Sequence, residues 1–269
     1  MQGASGSSTG GNNVAIGYHA LLSDTTGQLN IGIGVETLDA NTTGSYNVAV
    51  GKGALGNNTT ADYNTGIGQE SLIGNTTGTR NTGVGAFTLY TASTTNDNSA
   101  FGYNALKLNS TGSSNCAFGS NALDANTTAS DNTAFGAEAL TANTTGSSNN
   151  SFGSESMMTN TTGNQNCAFG RQSLKTNNGN YNNAFGHQTL ESNTTGTQNQ
   201  AFGLNSLFAN TTGSYNSAFG HAALTANTTA DNNSAFGNQA LGSNTTGSNN
   251  TAFGAEALEQ TTTGTQNVA

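Results

Sequence analysis

The apolar residues of this chain recur as two short pairs, separated by a glycine and two further residues, with a period of 17 residues. Counted from an asparagine, the repeat reads N-x-A-F-G-x-x-A-L-x-x-N-T-T-G-S-x, so the apolar positions are the third, fourth, eighth and ninth. This period is too short for repeats built from pairs of helices, which need about 33 residues or more. Short apolar runs bounded by glycine and by Asn-Thr-Thr-Gly turns predict a coil of two short strands.

The repeat covers nearly the whole chain. Its first-position asparagine occurs sixteen times from Asn13 to Asn267, which gives fifteen complete repeats, and the repeat at 166–181 is one residue short. The fifth position is always glycine, and the ninth is leucine in every repeat but one, where it is Met157. We therefore predict an all-β fold, a parallel β-solenoid or β-roll of about fifteen 17-residue coils. It would form one continuous domain over residues 13–269, preceded by a Gly/Ser-rich lead-in over residues 1–12.

Stacked coils would place each repeat position in a column with a spacing of about 4.8 Å, which gives a rod of roughly 70 Å. The fourth and ninth positions are the largest apolar ones, and we expect them to form the core. Representative core residues are Ile16, Leu21, Phe101, Leu106, Phe118, Leu123, Phe135, Leu140, Phe253 and Leu258. The first, fifth and twelfth positions predict asparagine ladders and glycine turns. Their representatives are Asn13, Gly17, Asn115, Gly119, Asn126, Asn132 and Gly136.

Adjacent apolar residues suggest a second buried surface. Successive residues of a strand point to opposite faces, so one member of each Ala-Phe and Ala-Leu pair should point out of the coil. An outward apolar column favours packing against another copy of the chain, and we expect a homotrimer. Two alternatives remain open: alanine is simply tolerated on a half-exposed face, or the glycine after phenylalanine bends both residues inward. The change from Ile or Val to Phe after Val84 in the fourth-position column suggests a change of cross-section along the rod.

Composition narrows the class of protein. Five Lys and Arg residues against a net charge of −9 argue against nucleic acid as a partner. No apolar stretch is long enough to span a bilayer, so we expect no membrane insertion, and the first residues do not resemble a signal peptide. The chain stops early in a sixteenth repeat, and no cap is visible at either end, so we expect an excised part of a longer protein or ends covered by neighbours.

Residues with reactive side chains are few, and the repeat explains their positions. His187 and His221 share a column but lie two coils apart, about 9.6 Å, so a shared metal ion is not expected. Cys116 and Cys167 lie three coils apart, which excludes a disulfide within the chain. Five glutamates share the seventh-position column and indicate a solvated face: Glu36, Glu70, Glu138, Glu155 and Glu256. We expect no catalytic residue, no cofactor and no metal, and hence no enzyme.

Two segments show the family resemblance most clearly. Asn13-Val14-Ala15-Ile16-Gly17 and the later Asn-x-Ala-Phe-Gly segments resemble the head repeats of trimeric autotransporter adhesins and are similar to repeats of phage-type tail-fibre and bacterial fibre proteins. The resemblance implies a parallel β-roll, three chains around one axis, and a role in surface attachment. The longer period and the Asn-Thr-Thr-Gly turn favour the tail-fibre-like relatives. It carries over no catalytic or ligand-binding residue.

These features lead to a functional hypothesis: the chain is the shaft or stalk of a trimeric surface fibre, extracellular, on a cell surface or on a virion. A host or surface receptor would be bound by a region outside this chain. One alternative is a single-chain solenoid that polymerises end to end into a filament. Another is an ice-binding solenoid with stacked threonines, which adjacent Thr-Thr pairs disfavour.

Two further patterns concern the turns. Asn-x-Thr triplets such as Asn41-Thr42-Thr43 and Asn210-Thr211-Thr212 match glycosylation acceptors, although turn chemistry explains them equally. Asp62 and Asp231 follow alanine where other repeats have Gly-Ser, which suggests an alternative turn.

Overall fold

Each repeat forms one strand of three residues, at its second to fourth positions. The computed structural model describes residues 10–269, which contain fifteen strands and no helix. The strands are β1 (Val14–Ile16), β2 (Ile31–Ile33), β3 (Val48–Val50), β4 (Thr65–Ile67), β5 (Thr82–Val84), β6 (Ser99–Phe101), β7 (Cys116–Phe118), β8 (Thr133–Phe135), β9 (Asn150–Phe152), β10 (Cys167–Phe169), β11 (Asn183–Phe185), β12 (Gln200–Phe202), β13 (Ser217–Phe219), β14 (Ser234–Phe236) and β15 (Thr251–Phe253).

The chain falls into two compact units, one up to Asn132 and one from Thr133 onward. In the first unit, strands β1–β7 are parallel neighbours in sequence order, with Ala15 opposite Gly32. Strands β8–β15 of the second unit are arranged in the same way. Each unit is a parallel β-solenoid, so the predicted all-β repeat fold is confirmed. That residues 13–269 form one continuous domain stays a prediction, and most of the predicted lead-in, residues 1–9, lies outside the described residues.

Hydrogen bonds between successive coils extend well beyond the strands. The amide of Leu207 donates to the carbonyl of Ala223 in the next coil at 3.0 Å. The amide of Gly203 donates to the carbonyl of Phe185 in the preceding coil at 2.8 Å. Equivalent bonds recur in most coils at the second, fifth, seventh, ninth, eleventh, thirteenth and seventeenth positions. Most backbone amides therefore find partners although only three residues per coil form a strand.

The prediction of two strands per coil is wrong for the second apolar run. The ninth-position leucine has a left-handed backbone, with φ of 51° at Leu207 and 52° at Leu224. This conformation interrupts the alternation of side chains, so both members of the Ala-Leu pair point inward: Ala223 and Leu224 are each 0% exposed. The run forms a turn whose amides bond to the next coil, and it contributes no outward apolar column.

Left-handed residues recur at the seventh, ninth and seventeenth positions of the repeat. Examples are Gln188 with φ of 55°, Leu190 with 53° and Gln198 with 56°. A branched β-carbon makes this conformation especially unfavourable. No Val, Ile or Thr occupies any of these three positions in the fifteen repeats, although threonine is abundant elsewhere. The local backbone therefore explains why the ninth position is leucine, with one methionine, and never isoleucine or valine.

The fifth-position glycine ends each strand in a conformation that other residues rarely adopt. Its φ is 127° at Gly102 and 140° at Gly136. A β-carbon on Gly102 would also lie 2.6 Å from the carbonyl oxygen of Gly119 in the next coil. Conformation and close approach of the backbones both require glycine here, and Gly17 and Gly119 share this conformation, with φ of 136° and 142°.

Two buried asparagine columns fasten each coil to itself and to its neighbours. Asn115 and Asn126 both donate through Nδ2 to the carbonyl of Ala129, at 2.9 and 3.0 Å. Asn115 Oδ1 accepts from the backbone amide of Asn132 in the next coil at 3.0 Å, and Asn126 Nδ2 also donates to Oδ1 of Asn109 at 2.9 Å. Asn115 thus uses both its donor and its acceptor in the interior, where an unpaired amide costs about 1–3 kcal/mol. The twelfth-position column is less complete, since some of its buried Oδ1 atoms have no hydrogen-bond partner among the described residues, those of Asn75, Asn160 and Asn244.

The first of these columns begins at the start of the first coil. Asn13 Nδ2 donates to the carbonyl of Gly27 at 2.9 Å, and its Oδ1 accepts from the amide of Asn30 at 2.8 Å. The predicted ladder asparagines thus lie in ladders that bond backbone to side chain as well as amide to amide.

In the full-length repeats the turn before the next first-position asparagine makes the same hydrogen bonds whether it contains glycine or alanine. Asn47 Nδ2 donates to the carbonyl of Ala61 at 2.8 Å, and the equivalent asparagine Asn64 donates to the carbonyl of Gly78 at 2.8 Å. Asp62 Oδ1 accepts from the amide of Ser45 at 2.7 Å. Asp231 Oδ1 likewise accepts a hydrogen bond from the amide of Ser214 in the preceding coil at 2.7 Å. The alternative turn suggested by the two aspartates is therefore wrong: they supply the acceptor that serine supplies elsewhere.

Candidate functional site: an outward aromatic column

The strand alternation points the fourth-position side chain out of the coil. In β12, Ala201 is buried between the half-buried Gln200 and Phe202. The same order holds in the other strands from β2 to β14. The interior is filled by third-position alanine or glycine, by the Ala-Leu run and by asparagine. Little room is left inside for a larger third-position side chain, which is why the strand turns its small residue inward.

The expectation that the fourth position forms the core is therefore corrected. Ile16 is 55% exposed and Phe253 is 75% exposed, while Phe135 is also on the surface and Phe101 and Phe118 are half-buried. The ninth-position residues lie in the interior as expected: Leu21, Leu106, Leu123 and Leu140 are buried, and Leu258 in the last coil is half-buried. The change from aliphatic to aromatic residues after Val84 accordingly alters the outer face and not the interior.

The outward phenylalanines stack on one another. In the first unit the ring centroids of Phe101 and Phe118 are 4.3 Å apart with an interplanar angle of 11°. In the second unit the column runs through eight coils, with centroid separations from 4.4 Å between Phe152 and Phe169 to 5.4 Å at its start. These distances are typical of favourable ring contacts. We call the fourth-position phenylalanines the aromatic column.

The first five strands present an aliphatic version of the same face. Both outward positions are apolar in the first three strands, where Val14 and Ile16 of β1 and Ile31 and Ile33 of β2 are exposed. From β6 onward the second position is a polar residue or cysteine, and only the fourth is a large apolar residue. Each unit thus presents a large apolar side chain at the fourth position of every strand on its outer face.

The threonines of the Asn-Thr-Thr-Gly turn have two different environments. The first donates its hydroxyl to a backbone carbonyl of the next coil, as Thr211 Oγ1 does to Thr228 at 3.0 Å and Thr228 does to Thr245 at 3.1 Å. The second, such as Thr212 or Thr229, is exposed. The second threonine is thus exposed to solvent, whereas the hydroxyl of the first is already used by the backbone even where that residue is exposed, as at Thr194.

The asparagine of the same turn is buried, which bears on the glycosylation triplets. Asn41 Nδ2 donates to Asp24 and Gly44, and Asn210 Nδ2 donates to Asn193 and Gly213. Both asparagines are 0% exposed. In the folded chain the amide nitrogen is inaccessible, and the triplets are explained by the turn.

Charged side chains pair between neighbouring coils at the surface. Glu155 Oε2 accepts from Gln172 at 3.0 Å and lies 3.0 Å from Lys175 Nζ. The hydrogen bond from Gln172, aided by the lysine, holds the pKa of Glu155 below its ordinary value. Arg80 and Asp97 form a two-bond pair at 2.6 and 2.9 Å, which likewise lowers the pKa of Asp97.

The cysteines and histidines do not form a site. Cys116 and Cys167 are free and half-buried at the start of β7 and β10, and burial raises the pKa of both thiols. Within residues 10–269 no three His, Cys, Asp or Glu side chains are grouped so that they could hold a metal ion. In that same range no helix has the length and apolar character to cross a membrane.

Four residues that the repeat analysis did not single out form an aromatic cleft in the first unit, lined by Phe87, Tyr90, Tyr103 and Lys107. The signal in the sequence was a departure from the repeat: Phe87 occupies a seventh position where most coils have Glu, Gln or Asn. Periodic analysis averages over such departures.

The fold and its outer face define a repeat-built parallel β-solenoid protein. No family model matches the chain, and no curated protein matches it.

Proposed function

We propose that the chain is the structural shaft of a homotrimeric surface fibre of the tail-fibre or adhesin type, acting outside the cell or on a virion in attachment. The observation that carries the proposal is the aromatic column, an outward and partly exposed row of phenylalanines that runs through every coil of the second unit. In a trimer these columns would face one another. The role is mechanical, with no catalysis, cofactor or metal, and a receptor would be bound outside this chain.

The size of the apolar face supports association. Fully burying a phenylalanine contributes about 1.5–3 kcal/mol, so covering a half-exposed ring contributes on the order of 1 kcal/mol. Eight such rings in the second unit, together with the exposed aliphatic residues of the first, are comparable with the 4–15 kcal/mol that association costs in lost freedom. An apolar surface of this length is unusual on a monomer and is typical of an interface.

The backbone supports the mechanical role. Most amides bond to a neighbouring coil, and two asparagine columns add side-chain bonds in the interior. Stretching or bending such a coil would break several hydrogen bonds at once, whereas loops of ordinary domains are held by few. A stiff spacer that resists proteases is the function to which this construction is suited.

Sedimentation equilibrium tests the trimer. The expected result is a particle of three times the 27.0 kDa chain mass. Phe202→Asp combined with Phe219→Asp should yield monomers with unchanged circular dichroism, because both side chains point outward. Tyr215→Asp is the matched control, since Tyr215 is exposed on another column, and it should stay trimeric. A wild-type monomer at micromolar concentration would contradict the proposal.

The two alternatives give different results in related measurements. An end-to-end filament would form polymers of undefined length that persist in the doubly substituted phenylalanine variant. Ice binding is favoured by the exposed threonines of the turns, and measurable thermal hysteresis would support it. The aromatic column has no role in either alternative, which is why the trimeric shaft is preferred.

A further inference from the structure

The aromatic cleft of the first unit has the volume of a ligand site. It is a cavity of about 420 Å3 lined by Phe87, Tyr90, Tyr103 and Lys107. Small-molecule sites typically measure about 300–1,000 Å3 and combine apolar walls with a few polar groups. Three aromatic rings and one ammonium group meet that description.

The three rings meet edge to face, and part of each residue stays accessible to solvent. Phe87 lies in the centre, with its centroid 6.1 Å from that of Tyr90 at 60° and 5.9 Å from that of Tyr103 at 85°. In such edge-to-face contacts the edge of one ring meets the face of the other, which covers less ring surface than the stacked contacts of the aromatic column. Tyr103 is 53% exposed, so its ring and hydroxyl are accessible from solvent.

The backbone under the cleft is held by the inter-coil ladder. The amide of Phe87 donates to the carbonyl of Gln69 at 3.0 Å, and the carbonyl of Lys107 accepts from Thr91 at 3.0 Å. The carbonyl of Tyr90 accepts from Gly74 at 3.1 Å. Each lining residue therefore extends from a rigid coil, which limits the entropy lost when a ligand binds.

The solenoid does not require these side chains. The interior of the Phe87 coil is filled by Thr88 and Leu89, both 0% exposed, as in coils that have glutamate or glutamine at the seventh position. Three aromatic residues from two successive coils nevertheless converge here. A purely structural repeat gives no reason for this convergence, whereas a binding site does.

The charge at the cleft selects the kind of ligand. The chain has five Lys and Arg residues and a net charge of −9, and one of these cations lines the cleft. Lys107 forms no ion pair within the described residues, and the carboxyl of Asp124 in the next coil keeps a raised pKa because burial outweighs the lysine. An aromatic site for a cation would be opposed by Lys107, so an anion is favoured.

We propose that this cleft binds an acidic sugar residue, a uronic acid of a surface glycan. The apolar C–H face of a pyranose ring matches an exposed aromatic face, its hydroxyl groups match the phenols of Tyr90 and Tyr103, and its carboxylate matches Lys107. The site is a glycan contact on the shaft itself, additional to the receptor region proposed outside this chain. It does not depend on the trimer, since its residues lie in other columns of the repeat than the aromatic column.

Ligand-observed NMR on the full chain tests the assignment, with glucuronate, glucose and benzoate as separate probes. Glucuronate should bind with a Kd on the order of 1 mM, and glucose several-fold more weakly. Tyr103→Ala should weaken glucuronate binding at least tenfold. Lys107→Gln should weaken glucuronate binding about fivefold and leave glucose binding unchanged, which separates recognition of the carboxylate from stacking.

Tyr215→Ala removes an equally exposed tyrosine from the second unit and should change nothing. Circular dichroism of each variant should match the wild type, because the lining side chains lie outside the interior. The proposal is overturned if glucuronate does not bind at about 10 mM, ten times the expected Kd. It is also overturned if Tyr103→Ala binds glucuronate normally, or if benzoate binds where neither sugar does. None of these outcomes bears on the trimer, which is tested through Phe202 and Phe219.

Discussion

The side-chain oxygen of Asn178 accepts a hydrogen bond from the backbone amide of Thr161 at 2.7 Å, together with bonds from the Thr161 hydroxyl at 2.9 Å and the Thr162 amide at 3.3 Å. In full-length coils these bonds go to a backbone carbonyl, as Thr144 and Thr145 bond to the carbonyl of Thr161. Asn178 belongs to the one coil that lacks a turn residue. Its amide replaces the missing carbonyl and keeps the ladder continuous through the deletion.

Substitution of Asn178 tests this replacement. Asn178→Ala removes the acceptor of three donors in the preceding coil. Because these hydrogen bonds are exposed and water can replace the acceptor, we expect the free energy of unfolding to fall by about 0.5–1.5 kcal/mol. Asn178→Asp keeps the acceptor and should cost less. Denaturant titration followed by circular dichroism provides the measurement. Asn238→Ala, at an exposed asparagine, is the control, and equal losses in both alanine variants would contradict the argument.

The left-handed backbone at the ninth position predicts an unusual preference between similar side chains. Leu207 is 0% exposed and has φ of 51°. Leu207→Met should cost less than about 1.5 kcal/mol, because volume is conserved. Leu207→Ile should cost clearly more, since a branched β-carbon is strained at this φ. Thermal denaturation of the two variants decides the matter, and equal melting temperatures would show that backbone conformation does not select leucine here.

Glycine in the strand is matched to hydroxyl-bearing residues inside the coil. A β-carbon on Gly83 would lie 2.6 Å from Ser71 Oγ and 2.7 Å from Thr88 Oγ1. We expect Gly83→Ala to destabilise the first unit by about 1–3 kcal/mol. Adding Ser71→Ala and Thr88→Ala reproduces the alanine-filled interior around Ala100 and Ala105 and should restore most of the loss. Urea unfolding of the single and triple variants tests this coupling, and a triple variant no more stable than Gly83→Ala would refute it.

Glu155 should give a small pH-dependent contribution to stability. Its folded pKa lies below the ordinary 4.5, mainly through the hydrogen bond from Gln172 and the ammonium of Lys175. A lowered carboxyl pKa stabilises the fold above the ordinary pKa, and this stabilisation is lost as the pH falls through the folded pKa. Glu155→Gln should therefore lower the melting temperature at pH 7 and have little effect near pH 3.

Glu256→Gln is the matched control for this pH experiment. Glu256 occupies the same column and forms no ion pair within residues 10–269. Its melting curves should follow the wild type at both pH values. If Glu155→Gln lowers the melting temperature relative to the wild type as much at pH 3 as at pH 7, Glu155 acts through packing and not through its charge.

The sequence was a reliable guide where one residue type satisfies one strict requirement. Glycine at the fifth position reflects a backbone φ near 130°. Asparagine at the first position reflects a buried side-chain amide whose donor and acceptor both form hydrogen bonds. Leucine at the ninth position reflects a buried apolar side chain on a left-handed backbone. The absence of Val, Ile and Thr from three columns also marked the left-handed positions, but this signal is visible only when a backbone conformation is already in mind.

The fourth position shows the limit of that guide. Strand alternation requires Ala201 and Phe202 to face opposite sides, but it does not say which side is the interior. Size suggested phenylalanine inside. The interior space decided otherwise, because the third position lies against the eighth- and ninth-position residues, as a β-carbon on Gly66 would lie 3.1 Å from the Ser71 carbonyl and 3.3 Å from Leu55.

The sequence by itself therefore determined the period, the coil, the parallel register and the shortened repeat, because these follow from identical residues stacking on identical residues. Only the tertiary structure decided that the second apolar run is a turn, that phenylalanine lies outside, and that Phe87, Tyr90, Tyr103 and Lys107 meet in one cleft. The physical reason is that interior volume and lateral contact arise from segments distant within a coil or in different coils, and a one-dimensional repeat does not contain these distances.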